Sequence, residues 1–179
     1  MRKQLRLSGS GGQGVITAAI ILAEAAVSEG KQAVQSQSYG PEARGGASKS
    51  EVIIDDQPIY HPHVIVPDLV LALTQKAADK YYKDLNPEGL LVVDEDLVPE
   101  VPAFPHTVKI PITRLAVEQC GRKLFANIVA LGALVRITGI VSFETIQQAV
   151  ANRVPPHTID QNKKALQVGW DAASAQLEK

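Results

Sequence analysis

The sequence is poor in several residue types, and each shortage excludes a class of protein. Its 179 residues include one cysteine, Cys120, and one tryptophan. A single thiol rules out a disulfide framework. It also rules out an iron–sulfur cluster ligated wholly within this chain, because such clusters need about four thiolates. Any redox chemistry in which the protein takes part is therefore expected to occur on another chain.

The sequence also lacks an excess of either charge and a long apolar run. Lys and Arg number 18 against 19 for Asp and Glu, which argues against general binding of nucleic acid or anionic lipid. The longest apolar stretch, residues 15–27, is broken by Glu24 and is shorter than the roughly 20 residues that cross a bilayer. The basic start (Arg2, Lys3, Arg6) is followed by glycines instead of an apolar segment, so we expect no signal peptide and a cytoplasmic protein.

The hydrophobic content and the order of the predicted elements indicate one α/β domain spanning residues 1–179. With 45% hydrophobic residues, the chain can bury a full core. The pattern predicts a three-layer α/β/α, Rossmann-like fold with a mostly parallel sheet, an antiparallel element and a helical C-terminal part. Strands are expected around residues 5–7, 32–38, 48–54, 68–73, 90–94 and 108–110. Helices are expected around residues 15–29, 75–82, 112–119, 125–137, 142–152 and from 159 onward. Gly30 is the expected stop of the first helix, Ser142 is an expected N-cap, and Thr158 with Gln161 is expected to form a capping box.

A glycine loop follows the first predicted strand. Gly9, Gly11 and Gly14 fit the pattern G-x-G-x-x-G directly after a strand and before a helix, with Gly12 and Gln13 between them. Such a loop lets backbone N–H groups approach a diphosphate at the positive end of a helix. The alternative is that the glycines only allow the helix to pack closely on the sheet.

Two observations argue against a dinucleotide or nucleotide-hydrolysing site. The acidic residue that usually ends the second strand and holds the ribose is replaced by residues 35–38, Gln-Ser-Gln-Ser. The loop also lacks the Lys-Ser/Thr ending of a P-loop. A stand-alone nucleotide- or coenzyme-binding protein therefore remains an alternative that is supported by the glycine loop alone.

A second loop is predicted at residues 39–46, where glycines and a proline exclude regular structure. Arg44 is placed to grip a carboxylate or phosphate, while Glu42 is more typical of a bond within the loop. The candidate cofactor-binding or interface residues in the two loops are Gly9, Gly11, Gly12, Gln13, Gly14, Tyr39, Gly40, Pro41, Glu42, Arg44, Gly45 and Gly46. We expected both loops to leave the carboxyl ends of neighbouring strands, where open α/β sheets bind ligands.

Together these segments resemble a known family. Residues 9–14 (GSGGQG), 37–46 (QSYGPEARGG) and 48–51 (SKSE) closely resemble the gamma subunit of 2-oxoacid:ferredoxin oxidoreductases. Residues 68–75, 89–94 and 127–132 agree more loosely. The chain length and residues 35–39 look most similar to gamma subunits of 2-oxoglutarate enzymes. Pyruvate, branched-chain oxoacid and indolepyruvate enzymes carry related domains.

The resemblance implies a subunit of an enzyme that decarboxylates a 2-oxoacid to acyl-CoA and reduces ferredoxin. It implies alpha and beta partners, a delta (ferredoxin-like) subunit as a further candidate, and ferredoxin as electron acceptor. The complete complex is expected to hold thiamine diphosphate, Mg²⁺, iron–sulfur clusters and coenzyme A. This chain has neither a thiamine diphosphate motif nor a cysteine cluster, so we expect it alone to bind no cofactor, to contribute no catalytic residue and to be inactive.

The other candidate residues are interpreted as structural instead of functional. His61 and His63 bracket Pro62 without an evident third ligand, so no metal site is predicted. Cys120 is interpreted as a buried small hydrophobe. Asn127 is interpreted as a helix cap, with contact to a partner as the alternative, and Trp170 as a packing anchor, with an interface position as the alternative. The sequence leaves open whether the isolated chain dimerises.

Overall fold

The computed structural model of the chain describes residues 1–38 and 46–179, which form six strands and six α-helices. The strands are β1 (Lys3–Ser10), β2 (Gln32–Gln37), β3 (Ala47–Asp55), β4 (Leu69–Ala72), β5 (Leu90–Asp94) and β6 (Thr107–Ile110). The helices are α1 (Val15–Ser28), α2 (Gln75–Tyr81), α3 (Ile112–Cys120), α4 (Ala126–Thr138), α5 (Phe143–Arg153) and α6 (Ile159–Leu177). Each predicted element is present, with small differences at its ends. None of the helices in the described residues is both long and apolar enough to cross a membrane.

The six strands form one mixed sheet in the order β2-β3-β1-β4-β5-β6. Strands β1, β4, β5 and β6 run parallel, as the short, fully apolar runs of β4 and β5 predicted. Strand β3 is antiparallel to both β1 and β2. The α/β class, the largely parallel sheet and the antiparallel element are therefore confirmed.

The two faces of the sheet carry different helices, because side chains alternate along each strand. On β1, Leu5 and Leu7 point into the larger core, which is built with α1, α3, α4, α5 and α6. The opposite face carries a smaller core between the sheet and α2, together with Leu85 and Val98. The result is a three-layer structure with most of its helices on one side.

Helix α1 begins and ends at glycines. Gly14 is its N-cap with a φ of 76°, and Gly30 follows its C-terminus with a φ of 84°. The Gly30 N–H donates to the Val27 carbonyl, and the Lys31 N–H donates to the Ala26 carbonyl. These two bonds form a Schellman motif, so the predicted stop at Gly30 is confirmed.

The two predicted helix caps have different outcomes. The Ser142 hydroxyl accepts a hydrogen bond from the Thr145 N–H and caps α5, as predicted. The capping box predicted at Thr158 is wrong, because residues 156–158 form a 3₁₀ turn that leads into α6. The Thr158 hydroxyl donates to the Pro155 carbonyl and accepts from the Asn162 amide. It therefore makes no cap bond to the α6 backbone.

Helices α4 and α6 touch through their backbones. A β-carbon added to Gly132 would overlap the Leu166 carbonyl oxygen, and one added to Gly169 would overlap the Val129 carbonyl oxygen. Beside this crossing, the Trp170 ring packs edge-on against Phe143, with ring centres 5.0 Å apart. The guanidinium of Arg136 lies 5.6 Å from the centre of the Trp170 ring. Trp170 is thus the packing anchor that the sequence predicted.

Candidate functional site

The candidate site lies where β1, β4, β5 and β6 end, here called the carboxyl edge of the sheet. The glycine loop leaves β1 at this edge and leads directly into α1. Ala47, the first residue of β3, pairs with Ser10, so the C-terminal end of the second loop also reaches this edge. We expected the two loops to leave neighbouring strands, which is wrong in one respect: β3 lies between β1 and β2. The glycine loop and the described ends of the second loop nevertheless lie at one edge.

The glycine loop is held in shape by Gln13. Its side-chain Oε1 accepts a hydrogen bond from the Ser10 N–H at 2.7 Å, and its own N–H donates to the Ser10 carbonyl at 3.3 Å. A β-carbon on Gly9 would overlap the Gln13 Oε1 atom, so a larger residue at position 9 would displace the Gln13 side chain from its hydrogen bond to Ser10. Gln13 is therefore a residue that shapes the loop from within.

Gly12 and Gly14 have different roles in the glycine loop. Gly12 is exposed with a φ of 86°, and no atom lies within 4 Å of where its β-carbon would be. Gly14 is packed: its β-carbon would come within 2.5 Å of the Asn127 side-chain amide nitrogen. Of the two readings of the motif, close packing applies to Gly9 and Gly14, while Gly12 leaves the loop open toward solvent.

Asn127 is a site residue that the sequence did not reveal. It lies in the first turn of α4, and its amide donates to the Gly14 carbonyl at 3.2 Å. We interpreted it as a helix cap, but the carbonyl that it binds belongs to the N-cap of α1. The packing of α4 against α1 brings these residues together across 113 positions of sequence.

The N-terminus of α1 faces the carboxyl edge, and neither its cap residue nor its first turn supplies a neutralising side chain. Gly14 offers no side-chain cap, and the first turn of α1 contains no acidic residue. Thr17 in that turn is exposed. The unpaired N–H groups and the helix dipole at such an end favour an anionic group, most often a phosphate.

Most of the second loop lies outside the described residues. This applies to Tyr39, Gly40, Pro41, Glu42, Arg44 and Gly45. The ends of the loop are described: the Ser38 N–H donates to the Lys49 carbonyl at 3.3 Å, and Gly46 leads into β3. The loop is therefore anchored on β3 at both ends.

Close to Ala47, where β3 begins, lies a group of four charged residues and one tyrosine that we call the Arg6 network: Arg6, Lys49, Glu51, Tyr81 and Asp84. Arg6 is 4% exposed, and its Nε donates to Glu51 at 2.8 Å. Its two terminal nitrogens donate to Asp84 at 2.5 and 3.0 Å, and one of them also donates to the Tyr81 carbonyl. The Tyr81 hydroxyl donates to the Ala47 carbonyl at 3.2 Å. The network thus joins β1, β3 and the C-terminal end of α2.

Within the network, the pKa values of Arg6 and Asp84 are both shifted in the direction that favours the charged form. Burial alone would lower the pKa of Arg6, but hydrogen bonds to Asp84 and Glu51 raise it. The hydrogen bond from Arg6 lowers the pKa of Asp84, against the smaller effect of burial. Both groups are charged at neutral pH.

A buried carboxylate, Asp94, ends β5 at the same edge. One of its oxygens accepts from the Asp96 and Leu97 N–H groups, and the other accepts from the N–H and hydroxyl of Thr113. Both oxygens are occupied in fixing the turn after β5 and the start of α3. Asp94 is therefore a structural residue.

The other candidates lie elsewhere. His61 and His63 are exposed in the connection between β3 and β4, and no group of three or more His, Cys, Asp or Glu in the described part of the chain could hold a metal. Cys120 is half-buried against the larger core, and burial raises the pKa of its thiol. A thiol with a raised pKa is a poor nucleophile at neutral pH.

A cavity of about 490 Å³ opens at the opposite edge of the sheet. Leu5, Ile54, Leu69, Leu90 and Ile140 contribute apolar lining. Charged groups of both signs also line it, including Lys3, Asp68 and Glu88. None of the described residues of the two loops lines this cavity.

Comparison with known proteins now identifies the family. A family model described as pyruvate ferredoxin/flavodoxin oxidoreductase matches residues 4–172. The chain belongs to this oxidoreductase family. It is 51% identical to the 2-oxoglutarate synthase subunit KorC of Methanocaldococcus jannaschii, over 97% of this chain and 95% of that protein.

Solved structures of this oxidoreductase family share the fold. The gamma subunit of a keto/oxoacid ferredoxin oxidoreductase from Geobacter sulfurreducens PCA is 51% identical, with a TM-score of 0.91 over 98% of both chains. The 2-oxoglutarate:ferredoxin oxidoreductase from Magnetococcus marinus, with 2-oxoglutarate, coenzyme A and succinyl-CoA bound, is 23% identical. Its TM-score is 0.87 over 97% of this chain and 31% of that chain. The predicted family and fold are confirmed.

Proposed function

We propose that this chain is the gamma subunit of a 2-oxoglutarate:ferredoxin oxidoreductase and that its carboxyl edge contributes to binding coenzyme A at a subunit interface. The substrate is supported by the 51% identity to a 2-oxoglutarate synthase subunit, which extends over nearly both whole chains. Alpha and beta subunits, with a ferredoxin-like delta subunit, would carry the thiamine diphosphate, Mg²⁺ and iron–sulfur clusters. The single cysteine of this chain does not fit a cluster.

The observation that carries the coenzyme A proposal is the open N-terminus of α1. Coenzyme A presents a diphosphate, and the exposed Gly12 allows such a group to approach the backbone of the loop. Arg44, on the second loop, would supply a bidentate cation. The described ends of the second loop lie at the same edge of the sheet as the glycine loop, which supports a ligand site shared by the two loops.

The first experiment tests the requirement for the chain. Alpha, beta and delta subunits are co-expressed anaerobically with and without it, and coenzyme A-dependent reduction of ferredoxin by 2-oxoglutarate is measured. We expect activity to be lost on omission. Unchanged activity without co-purification would contradict the proposed role and leave the stand-alone coenzyme-binding protein as the alternative.

The second experiment tests the α1 N-terminus. Replacing the exposed Thr17 by Glu places a negative charge in the first turn of α1. This charge interacts favourably with the helix dipole, so the helix stays stable, but it repels an anionic ligand. We expect the apparent KM for coenzyme A to rise about two- to fivefold while the subunit stays folded. Thr17→Gln has nearly the same size without the charge and should keep the wild-type KM. Equal KM values for the two variants would exclude an anion at this helix end, and Arg44→Ala tests the second loop in the same assay.

A further inference from the structure

The structure assigns a positioning role to the Arg6 network: we propose that Tyr81 and the ion pairs beside it hold the attachment of the second loop at the carboxyl edge, and thereby set the affinity for coenzyme A. The inference rests on the proposed function, because it needs the second loop to contact the coenzyme. None of the network residues is proposed to touch the ligand. They act through the backbone of residues 46–49.

The first step concerns the position of Arg6. Its neighbours Leu5 and Leu7 are buried in the apolar core on the opposite face, so an apolar residue at position 6 would suit a strand in the centre of a sheet. A buried arginine loses its hydration, and buried ion pairs are often no more stabilising than apolar residues of similar volume. What the ion pairs provide is a defined geometry, because the guanidinium fork fixes the directions of its partners.

The second step follows the contacts from Arg6 to the loop. The paired Asp84 and the Tyr81 carbonyl fix the C-terminal end of α2 over the sheet. This places the Tyr81 ring so that its hydroxyl reaches the Ala47 carbonyl, one residue after the loop. Ala47 pairs with Ser10 of the glycine loop, so Tyr81 secures the point where the two loops meet.

The third step concerns the other end of the loop. Ser38 is the last described residue before the second loop, and its N–H donates a hydrogen bond to the Lys49 carbonyl. The Lys49 ammonium pairs with Glu51 at 3.3 Å and lies 5.9 Å from the centre of the Tyr81 ring. Glu51 in turn accepts from Arg6. Both ends of the second loop are therefore attached to residues that the network holds.

The test uses Tyr81→Phe, which removes the hydroxyl and keeps the ring. The matched control is Tyr82→Phe: Tyr82 is adjacent, half-buried against the same small core, and its hydroxyl makes no hydrogen bond among the described residues. The measurements are apparent KM for coenzyme A and kcat in the reconstituted enzyme, and amide hydrogen exchange of residues 46–52 in the isolated chain. We expect Tyr81→Phe to raise the KM about two- to tenfold at unchanged kcat, and to speed exchange in this segment. The control should do neither.

A second variant keeps the inference testable if the first has a small effect. Glu51→Gln retains the shape of the side chain and weakens its bonds to Arg6 and Lys49. It should raise the KM for coenzyme A in the same direction without loss of subunit assembly. A fall in kcat with unchanged KM, or faster exchange with unchanged KM in both variants, would overturn the positioning role.

Failure of the proposed function is recognised separately. If omission of the wild-type chain leaves activity intact, the proposed function fails and this inference fails with it. If omission abolishes activity while both variants keep wild-type KM and exchange, only the positioning role is overturned.

Discussion

Gly169 of α6 lies directly against the carbonyl oxygen of Val129 in α4, at a separation that leaves no room for a side chain. A β-carbon normally favours a helix by about 1 kcal/mol relative to glycine. Here the added carbon would force apart two helices whose backbones touch, and overpacking of this kind costs about 1–3 kcal/mol or more. We therefore predict that Gly169→Ala lowers the free energy of unfolding, measured by urea denaturation.

The matched control is Ala175→Val, which adds bulk at an exposed position of the same helix. It should lower the free energy of unfolding by no more than about 0.5 kcal/mol, which is the difference in helix propensity between alanine and valine. A Gly169→Ala protein as stable as the wild type would show that α4 and α6 can separate without penalty.

Gly14 and Asn127 should be energetically coupled. Gly14→Ala introduces strain at a φ of 76°, about 1–2 kcal/mol, and also a clash with the Asn127 amide. Asn127→Ala removes the hydrogen bond to the Gly14 carbonyl and the clashing atoms. We predict that the double variant is less destabilised than the sum of the single variants, by about 1 kcal/mol, in a double-mutant cycle of unfolding free energies. Simple additivity would contradict the packing described.

Glu29 links the end of α1 to the start of α5, and its ionisation should contribute to stability. Burial would raise its pKa, but hydrogen bonds from the Ser142 N–H and Lys31 lower the pKa to about 2 from 4.5. Because the pKa of Glu29 is lower in the folded state than in the unfolded state, the stabilisation by its ionised form is fully present above pH 4.5. It is lost as the pH falls from about 4.5 to 2.

We predict that Glu29→Gln flattens the dependence of unfolding free energy on pH in that range, measured by urea denaturation at several pH values. Glu178→Gln, at an exposed position near the C-terminus, serves as the control. Parallel pH curves for wild type and Glu29→Gln would refute the assignment.

Asp94 and Asp96 should respond very differently to the same substitution. Asp94→Asn replaces one acceptor oxygen by an amide that cannot accept, so two of four hydrogen bonds in a buried site are lost. We expect a loss of about 2–3 kcal/mol of unfolding free energy. Asp96→Asn affects an exposed pair with Arg114 and should cost less than about 1 kcal/mol in thermal or urea unfolding. Similar losses for the two variants would be inconsistent with the structure.

The elements of this fold could be predicted from the sequence because their signals are local. The apolar runs of β4 and β5 and the glycines around α1 identify elements within windows of a few residues. Where each strand pairs is set by distant segments, which is why the position of β3 between β1 and β2 was missed. The family resemblance was carried by the two loops, whose residues are unusual in kind and order.

The site was predicted less completely for the same reason. Asn127 has no local pattern that points to Gly14, and Arg6 reads as part of a basic N-terminus until the fold brings Glu51 and Asp84 to it. Those partners lie 45 and 78 positions away. Charged residues gain such roles only through the tertiary structure, so spacing along the chain cannot reveal them.

The place of β1 in the sheet also bears on how the protein is made. Strand β1 leaves the ribosome before both of its partner strands, which are supplied by residues 47–54 and 69–72. Until both have been synthesised, β1, whose residues 5–9 are buried in the complete fold, has at least one unpaired edge, and unpaired strand edges are the kind of surface on which aggregates form. The pairing of β1 can therefore be completed during synthesis only after residues 69–72 of β4 have been made.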